Sequence, residues 1–148
     1  MEGIRMHITI TKPRLSDTPI MVKWGRESTA LKDCSTDPWY PLKVIRKWIA
    51  HPQKDIILVA RDGKKPVGMF LAHDMRDWMY CSTLYVAKAY RSHGVGSMLL
   101  AKIVEIAKKR NYIEVALMVN KNNGDAKKFY LKNKFHKGYL FRWMGKKI

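Results

Sequence analysis

The stretch LYVAKAYRSHGVGSMLL, Leu84 to Leu100, decides how this chain folds. Its first residues close a run from Trp78 to Val86 that is rich in aromatic and β-branched side chains and reads as a strand. Arg91-Ser92-His93-Gly94-Val95-Gly96 follows as a turn. From about Ser97 to Arg110 a stripe of Leu99, Leu100, Ile103, Ile106 and Ala107 predicts a helix, with Lys108, Lys109 and Arg110 suiting its C-terminal end. Successive backbone N–H groups in such a turn, with the positive end of the helix behind them, make an anion site. Gly94 and Gly96 let a phosphate approach the backbone without a Cβ in the way, and Arg91 can add a charge-assisted bond. Two phosphate loops do not fit. A Walker A loop needs Gly-Lys-Ser/Thr at its end, and here Gly96 is followed by Ser97-Met98. A dinucleotide fingerprint wants a third Gly or Ala where Leu99 stands, and an acid after the next strand where Asn120-Lys121 stand.

Upstream, His7 to Thr11 alternates as a short strand that Pro13 ends. About Ser16 to Trp24 forms a helix with Ser16 or Asp17 as its N-cap, and Asp33 to Pro38 reads as a loop. Pro41 opens a second helix with Leu42, Val44, Ile45, Trp48 and Ile49 on one broad face, and Pro52 closes it. Ile56 to Ala60 is a strand, Arg61-Asp62-Gly63-Lys64 has hairpin-turn chemistry, and Pro66 to Ala72 returns. Downstream of the long helix come a strand from Tyr112 to Val119, a short helix from Gly124 to Lys132 and a last strand from Tyr139 to Met144. The order β-α-α-β-β-β-α-β-α-β predicts one α/β or α+β domain over residues 1–148.

Composition narrows the class. With 148 residues and 47% apolar, the chain suits one packed core and is not disordered. No apolar run approaches the roughly 18 residues of a membrane span, and MEGIRMHITI lacks the pattern of a secretory signal. Cys34 and Cys81 form neither a CxxC pair nor a disulfide framework, which points to a reducing cytoplasm and away from structural zinc. The net charge is +17, of which +5 lies in residues 1–87 and +12 in residues 88–148. Such a surface attracts polyanions, or simply keeps a helix face solvated.

The spacing of the glycine turn resembles the GNAT N-acetyltransferase superfamily, whose signature is Arg/Gln-x-x-Gly-x-Gly/Ala after a strand bearing Leu-x-Val, here Leu84-Tyr85-Val86. A second block, VNKNNGDAKKFYLKNKF from Val119 to Phe135, is similar to the family's Val-x3-Asn-x2-Ala-x3-Tyr-x4-Phe segment through Val119, Asn123, Ala126, Tyr130 and Phe135. The resemblance covers residues 55 to 148 well and the first 50 residues only in element order. Two departures are Lys134, where the family commonly has Gly, and Lys88, where a proline is frequent. The implied fold is a mixed, mostly antiparallel central sheet flanked by helices and splayed between the strands ending near Val86 and beginning near Tyr112.

The resemblance also implies roles. Arg91, Ser92, His93, Gly94, Val95, Gly96 and Ser97 would hold the pyrophosphate of acetyl-CoA. Leu84, Tyr85 and Val86 would pair with the pantetheine arm, with the Val86 N–H aimed at the thioester oxygen. Asn123 would lie near the pantetheine, and Tyr130 would protonate the departing thiolate as general acid. Tyr80, eleven residues before Arg91, is the leading general base, acting through a water, with Glu114, His73 and Asp74 as alternatives. Cys81 lacks an evident histidine partner for a covalent acetyl carrier, His93 is a further donor in the loop, and His136 lies on the surface. Trp24, Trp39, Tyr40 and Trp48 either pack or wall the acceptor site.

No metal is implied. The expected activity is transfer of acetyl from acetyl-CoA to a primary amine in a ternary complex, by a cytoplasmic monomer or homodimer with no membrane partner. The charge favours an amine on an anionic macromolecule, aminoacyl-tRNA or a protein lysine or N-terminus. A small-amine acetyltransferase, or a silent CoA- or nucleic-acid-binding module, is the alternative.

Overall fold

A computed structural model describes residues 6–28, 39–142, 144–146 and 148. In chain order the elements are β1 (Ile8–Thr11), a 3-10 turn (Leu15–Asp17), α1 (Thr18–Glu27), α2 (Leu42–Ala50), β2 (Ile56–Asp62), β3 (Lys65–Asp74) and β4 (Trp78–Val86). A second 3-10 turn (Lys88–Tyr90), α3 (Val95–Lys109), β5 (Glu114–Leu117) and α4 (Gly124–Lys132) follow. The sheet order is β1-β2-β3-β4-β5. Its first four strands are antiparallel neighbours, and β5 joins β4 in parallel because α3 carries the chain back to the same end of the sheet.

Helices cover both faces. Phe70, Met79 and Cys81 pack with Val95, Leu99, Leu100 and Ile103 of α3 on one side. Val59, Met69 and Leu71 pack with Met21, Trp24 and Ile45 of α1 and α2 on the other. Buried on both faces, β2 is a continuous apolar run rather than an alternating one. Among the described residues no helix is long and apolar enough to cross a membrane.

Several expectations need correction. Tyr139 to Arg142 and Met144 are not strand, have no ladder partner among the described residues, and leave Tyr139 and Leu140 about 90% exposed (90% and 91%). An apolar run makes a strand only when an edge takes its backbone. Helix α2 buries a narrower stripe than its sequence suggests: Ile45 is in the core and Trp48 and Ile49 are half-buried, while Leu42 and Val44 face solvent. The long helix begins at Val95, not Ser97, and β5 is only four residues. The loop Asp33–Pro38, with Cys34, lies outside the described residues, as do Trp143 and Lys147.

Arg61 is the largest surprise. It belongs to β2 rather than to the turn, and its side chain is 4% exposed. Its Nη1–H donates to Asp17 Oδ1 at 3.0 Å, its Nη2 pairs with Asp17 Oδ2, and its Nε–H donates to Thr11 Oγ1 at 3.1 Å. Asp17 Oδ2 also accepts the Arg14 N–H at 2.6 Å. One bidentate pair thus ties β1, β2 and the start of α1. Burial alone would raise the Asp17 pKa, but the Arg61 and Arg14 bonds and charges outweigh it and hold the carboxyl below its ordinary 3.8.

Replacing one member of such a pair strands the other charge in the interior. Arg61→Ala is therefore expected to lower stability by about 3–5 kcal/mol in denaturant titration. The stabilisation from Asp17 is complete above pH 3.8 and is lost as pH falls through its lower folded value. An acid titration of Tm should show that component in the parent and lack it in Asp17→Asn.

Candidate active site

The ladder between β4 and β5 runs from Trp78↔Glu114 to Cys81↔Leu117 and ends there, while β4 continues to Val86. On its other side β4 stays bonded to β3, with the Ala87 N–H donating to the Val67 carbonyl at 2.9 Å. In an antiparallel ladder bonding alternates. Tyr85, opposite Met69, therefore spends its backbone on β3, whereas Leu84 and Val86 turn their N–H and C=O toward the opening. The Val86 carbonyl takes the Arg91 Nε–H at 2.8 Å. Tyr85 contributes its side chain instead, stacked on Trp24 at 5.4 Å and beneath the Arg91 guanidinium at 5.5 Å.

The turn after β4 is built for its shape. Tyr90 donates its hydroxyl to Asp62 at 3.1 Å, anchoring the approach to the end of β2. Ser92 (φ 62°) and Gly94 (φ 79°) both lie in the left-handed region. Gly94 is the N-cap of α3, so the first N–H groups of Val95, Gly96 and Ser97 are left without partners in the helix. His93 bonds the Arg91 carbonyl through Nδ1 at 2.7 Å, and Val95 drops its side chain into the core. Gly96 also lies close to a side chain of α4: a Cβ there would come within 3.2 Å of the Phe129 ring. Gly94 has open space and needs glycine for its φ.

Helix α4 brings Tyr130 to the same opening. Asn123 caps it, its Oδ1 accepting the Ala126 N–H at 3.1 Å. At its other end the Phe135 N–H donates to the Tyr130 carbonyl and the Lys134 N–H to the Leu131 carbonyl, both at 3.0 Å. That is a Schellman motif with Lys134 in the left-handed position (φ 66°), which explains why glycine is common there. It also sets Phe135 edge-on against Tyr130 at 5.7 Å. Tyr130 packs into the cluster containing Cys81. Burial first, and the nearby Cys81 second, raise the Tyr130 pKa, so the phenol keeps its proton. Burial pushes the Cys81 thiol up to about 12, which leaves it a poor nucleophile at neutral pH.

Tyr80 lies on the opposite face. The register slips at Leu71/Ala72, so that Ser82 is an extra residue in β4 and the side-chain alternation reverses across it. Cys81, Leu84 and Val86 face α3, whereas Tyr80 and its partner His73 face α2. There Trp48, His73 and Tyr80 form a stack, with ring centroids 4.8 and 6.0 Å apart. His73 Nε2 is 3.0 Å from Ser82 Oγ, and its Nδ1 is 3.7 Å from Asp55 Oδ2. Asp55 also accepts the Trp48 Nε1–H at 2.7 Å and the Asp74 N–H at 2.8 Å.

Neither Asp55 nor Ser82 stood out in the sequence. Counting back across the β3–β4 hairpin would have set residue 73 opposite 80, but the bulge that brings Ser82 to His73 has no sequence signal. Asp74 is less suited as a base than its position suggests, because a bond from the Tyr112 hydroxyl leads the interactions that hold its carboxyl low. Glu114 is exposed at the start of β5, and His136 is exposed. Trp24 and Trp39 are core residues; Tyr40 and Trp48 are only half-buried.

Residues 22–135 match the acetyltransferase (GNAT) family. Over 81 residues, 55% of its length, the chain is 31% identical to acetyltransferase Atu2258 of Agrobacterium fabrum. Over 93 residues, 57% of its length, it is 31% identical to an uncharacterized N-acetyltransferase of Archaeoglobus fulgidus. These matches span 58% and 62% of the two relatives. Among solved structures, the PaiA N-acetyltransferase of Thermoplasma acidophilum in complex with coenzyme A superposes with a TM-score of 0.70 at 23% identity, over 86% of this chain and 89% of that one. The open edge of β4, the turn into α3 and the matched sequence together make this chain a member of the GNAT acetyltransferase family.

Proposed function

We propose that the protein moves an acetyl group from acetyl-CoA to a primary amine carried by an anionic macromolecule, an aminoacyl-tRNA or a protein lysine or N-terminus. The observation that carries the transfer reading is the opening beyond Cys81 and Leu117, flanked by the α3 N-terminus and by Tyr130. The turn from Arg91 to Ser97 takes the pyrophosphate on the leading N–H groups of α3. Backbone groups of Leu84 and Val86 pair with the pantetheine, and an N–H there stabilises the oxygen of the thioester as it gains charge. Tyr130, protonated and close to β4, gives its proton to the leaving sulfur. The amine enters from the α2 face, where Tyr80 and His73 lie. Proton donor and proton acceptor then stand on opposite faces of the sheet, one toward the leaving sulfur and the other toward the incoming amine.

The acceptor class rests on charge. Lys128, Lys132, Lys134 and Lys137 are all exposed on or just after α4, the helix that carries Tyr130. Lys127 is different, since its Nζ donates to the Lys121 carbonyl at 2.9 Å and secures the preceding loop. A cofactor with a few phosphates does not need this excess of cations beside it, whereas a polyanion uses it.

Acetyl-CoA should raise the Tm of the parent through selective binding to the folded state. Gly94→Val, which cannot hold the required φ, should abolish that shift; normal binding by the variant would remove the phosphate assignment. Tyr130→Phe should lower kcat by about 10²–10⁴-fold with cofactor affinity retained, measured by release of free thiol from acetyl-CoA. Acceptors are identified by mass spectrometry of cell extract incubated with isotope-labelled acetyl-CoA. With such an acceptor, neutralising Lys128, Lys132 and Lys137 together should raise KM and leave kcat nearly unchanged. KM should also climb steeply with salt. Efficient, salt-insensitive use of a small neutral amine would overturn the macromolecular acceptor.

A further inference from the structure

Building on the acetyl-transfer reading, we propose that His73 is the proton acceptor for the incoming amine, reached through the Ser82 hydroxyl and oriented by Asp55. Three separate pieces of chain meet to make this line. Asp55 precedes β2, His73 is next to last in β3, and Ser82 is the bulged residue of β4. The contacts run Asp55 Oδ2 to His73 Nδ1 at 3.7 Å, then His73 Nε2 to Ser82 Oγ at 3.0 Å. Ser82 follows directly on Cys81, the last β4 residue paired with β5, and its hydroxyl lies toward β3, within reach of His73 Nε2 and the Leu71 carbonyl, on the α2 face from which the amine enters.

The orientation of the ring is over-determined. Trp48 and Tyr80 clamp its two sides at 4.8 and 6.0 Å, with interplanar angles of 15° and 22°. Asp55 is itself held by the Trp48 indole N–H and the Asp74 backbone N–H. The Asp55 carboxylate is 3.7 Å from Nδ1, beyond hydrogen-bond distance, and acts through its charge, which favours the tautomer with its hydrogen on Nδ1 and leaves Nε2 as an acceptor for the Ser82 O–H. The Leu71 carbonyl, 3.4 Å from Ser82 Oγ, is only a weak competitor for that hydrogen. The other titratable groups around the ring are Tyr80 on β4, Asp74 next in β3 and Tyr40 before α2. Tyr40 is raised by burial and by the Asp55 charge, and Asp74 is engaged by Tyr112. Both His73 and Asp55 side chains are 26% exposed, so a proton taken up here can leave to water.

The step balances. The ammonium acceptor gives one proton to Ser82 Oγ as Ser82 passes its own to His73 Nε2. The neutral nitrogen attacks the thioester carbon, the N–C bond forms, and the C–S bond breaks with its electron pair on sulfur. Sulfur takes the Tyr130 proton, the nitrogen loses its second proton to water, Tyr130 recovers one from water, and His73 releases the first to solvent.

Two measurements on the full chain test this. Nitrogen NMR of the imidazole should find neutral His73 with its hydrogen on Nδ1, and Asp55→Asn should shift it toward Nε2. A parent ring carrying its hydrogen on Nε2 would overturn the proposal, whatever the acceptor. The second compares two probe nucleophiles with acetyl-CoA: the lysine amine of a short acidic peptide, and hydroxylamine, whose nitrogen is already unprotonated at neutral pH. His73→Gln should cut transfer to the peptide by about 10²–10⁴-fold and leave hydroxylamine transfer within a few-fold. Ser82→Ala should reproduce the direction of that split. Equal losses with both probes would overturn the role, as would a covalent acetyl group recovered on Ser82. The acetyl-CoA-induced rise in Tm should survive in all three variants. A parent that shows neither that rise nor any transfer would instead remove the acetyl-transfer reading, while the tautomer still decides His73.

Discussion

Hydrogen bonding along β4 is the constraint on which the rest of the site depends. On one side the strand is paired with β3 along its length; on the other it is paired with β5 only from Trp78 to Cys81. Backbone groups left open at the end of a central strand must meet water, a side chain or a ligand. The Val86 carbonyl already uses Arg91, which folds the following turn back against the strand. Strand opening, turn and α3 N-terminus are therefore one unit, and the departure of β5 creates it.

The opening can exist because other contacts hold the sheet together. The Arg61–Asp17 pair fixes β1 and α1 to β2, the Tyr90–Asp62 bond holds the turn after β4 to the end of the same strand, and the His7 N–H bonds Asp62 from the start of β1. Two apolar layers, one under α3 and one under α1 and α2, clamp β2, β3 and β4. Rigidity of this kind holds backbone donors in place before a ligand arrives, which is the preorganisation that charge stabilisation requires. Tyr130 is held in the same manner, by the Asn123 cap at one end of α4 and the Lys134 turn at the other.

Much of the architecture was legible in the chain. The strand–turn–helix segment, the hairpins and both downstream helices follow from periodicity and from glycine and proline placement, because those signals are local. The failures are equally physical. Tyr139 to Met144 has strand-like composition, but composition does not provide a pairing edge. Arg61 reads as turn chemistry beside Asp62-Gly63, and only its distant partner Asp17 makes a buried guanidinium tolerable. At Gly96 the local sequence shows nothing of Phe129, whose ring would lie 3.2 Å from a Cβ there, because that neighbour comes from a distant helix.

The sequence by itself determined the family, the order of elements, the glycine turn and the placement of Tyr130 on a short basic helix, since each rests on residue types at short spacing. Tertiary structure decided which of these face one another. Strict alternation along β4 would set Tyr80 on the same face as Leu84 and Val86. One extra residue at Ser82 reverses that parity, sending Tyr80 to the α2 face while Leu84 and Val86 stay with Tyr130. The same bulge joins Ser82 to His73 and, through it, to Asp55. A bulge is a choice of register between two strands, and register is set by packing on both faces of the sheet rather than by either strand's own residues.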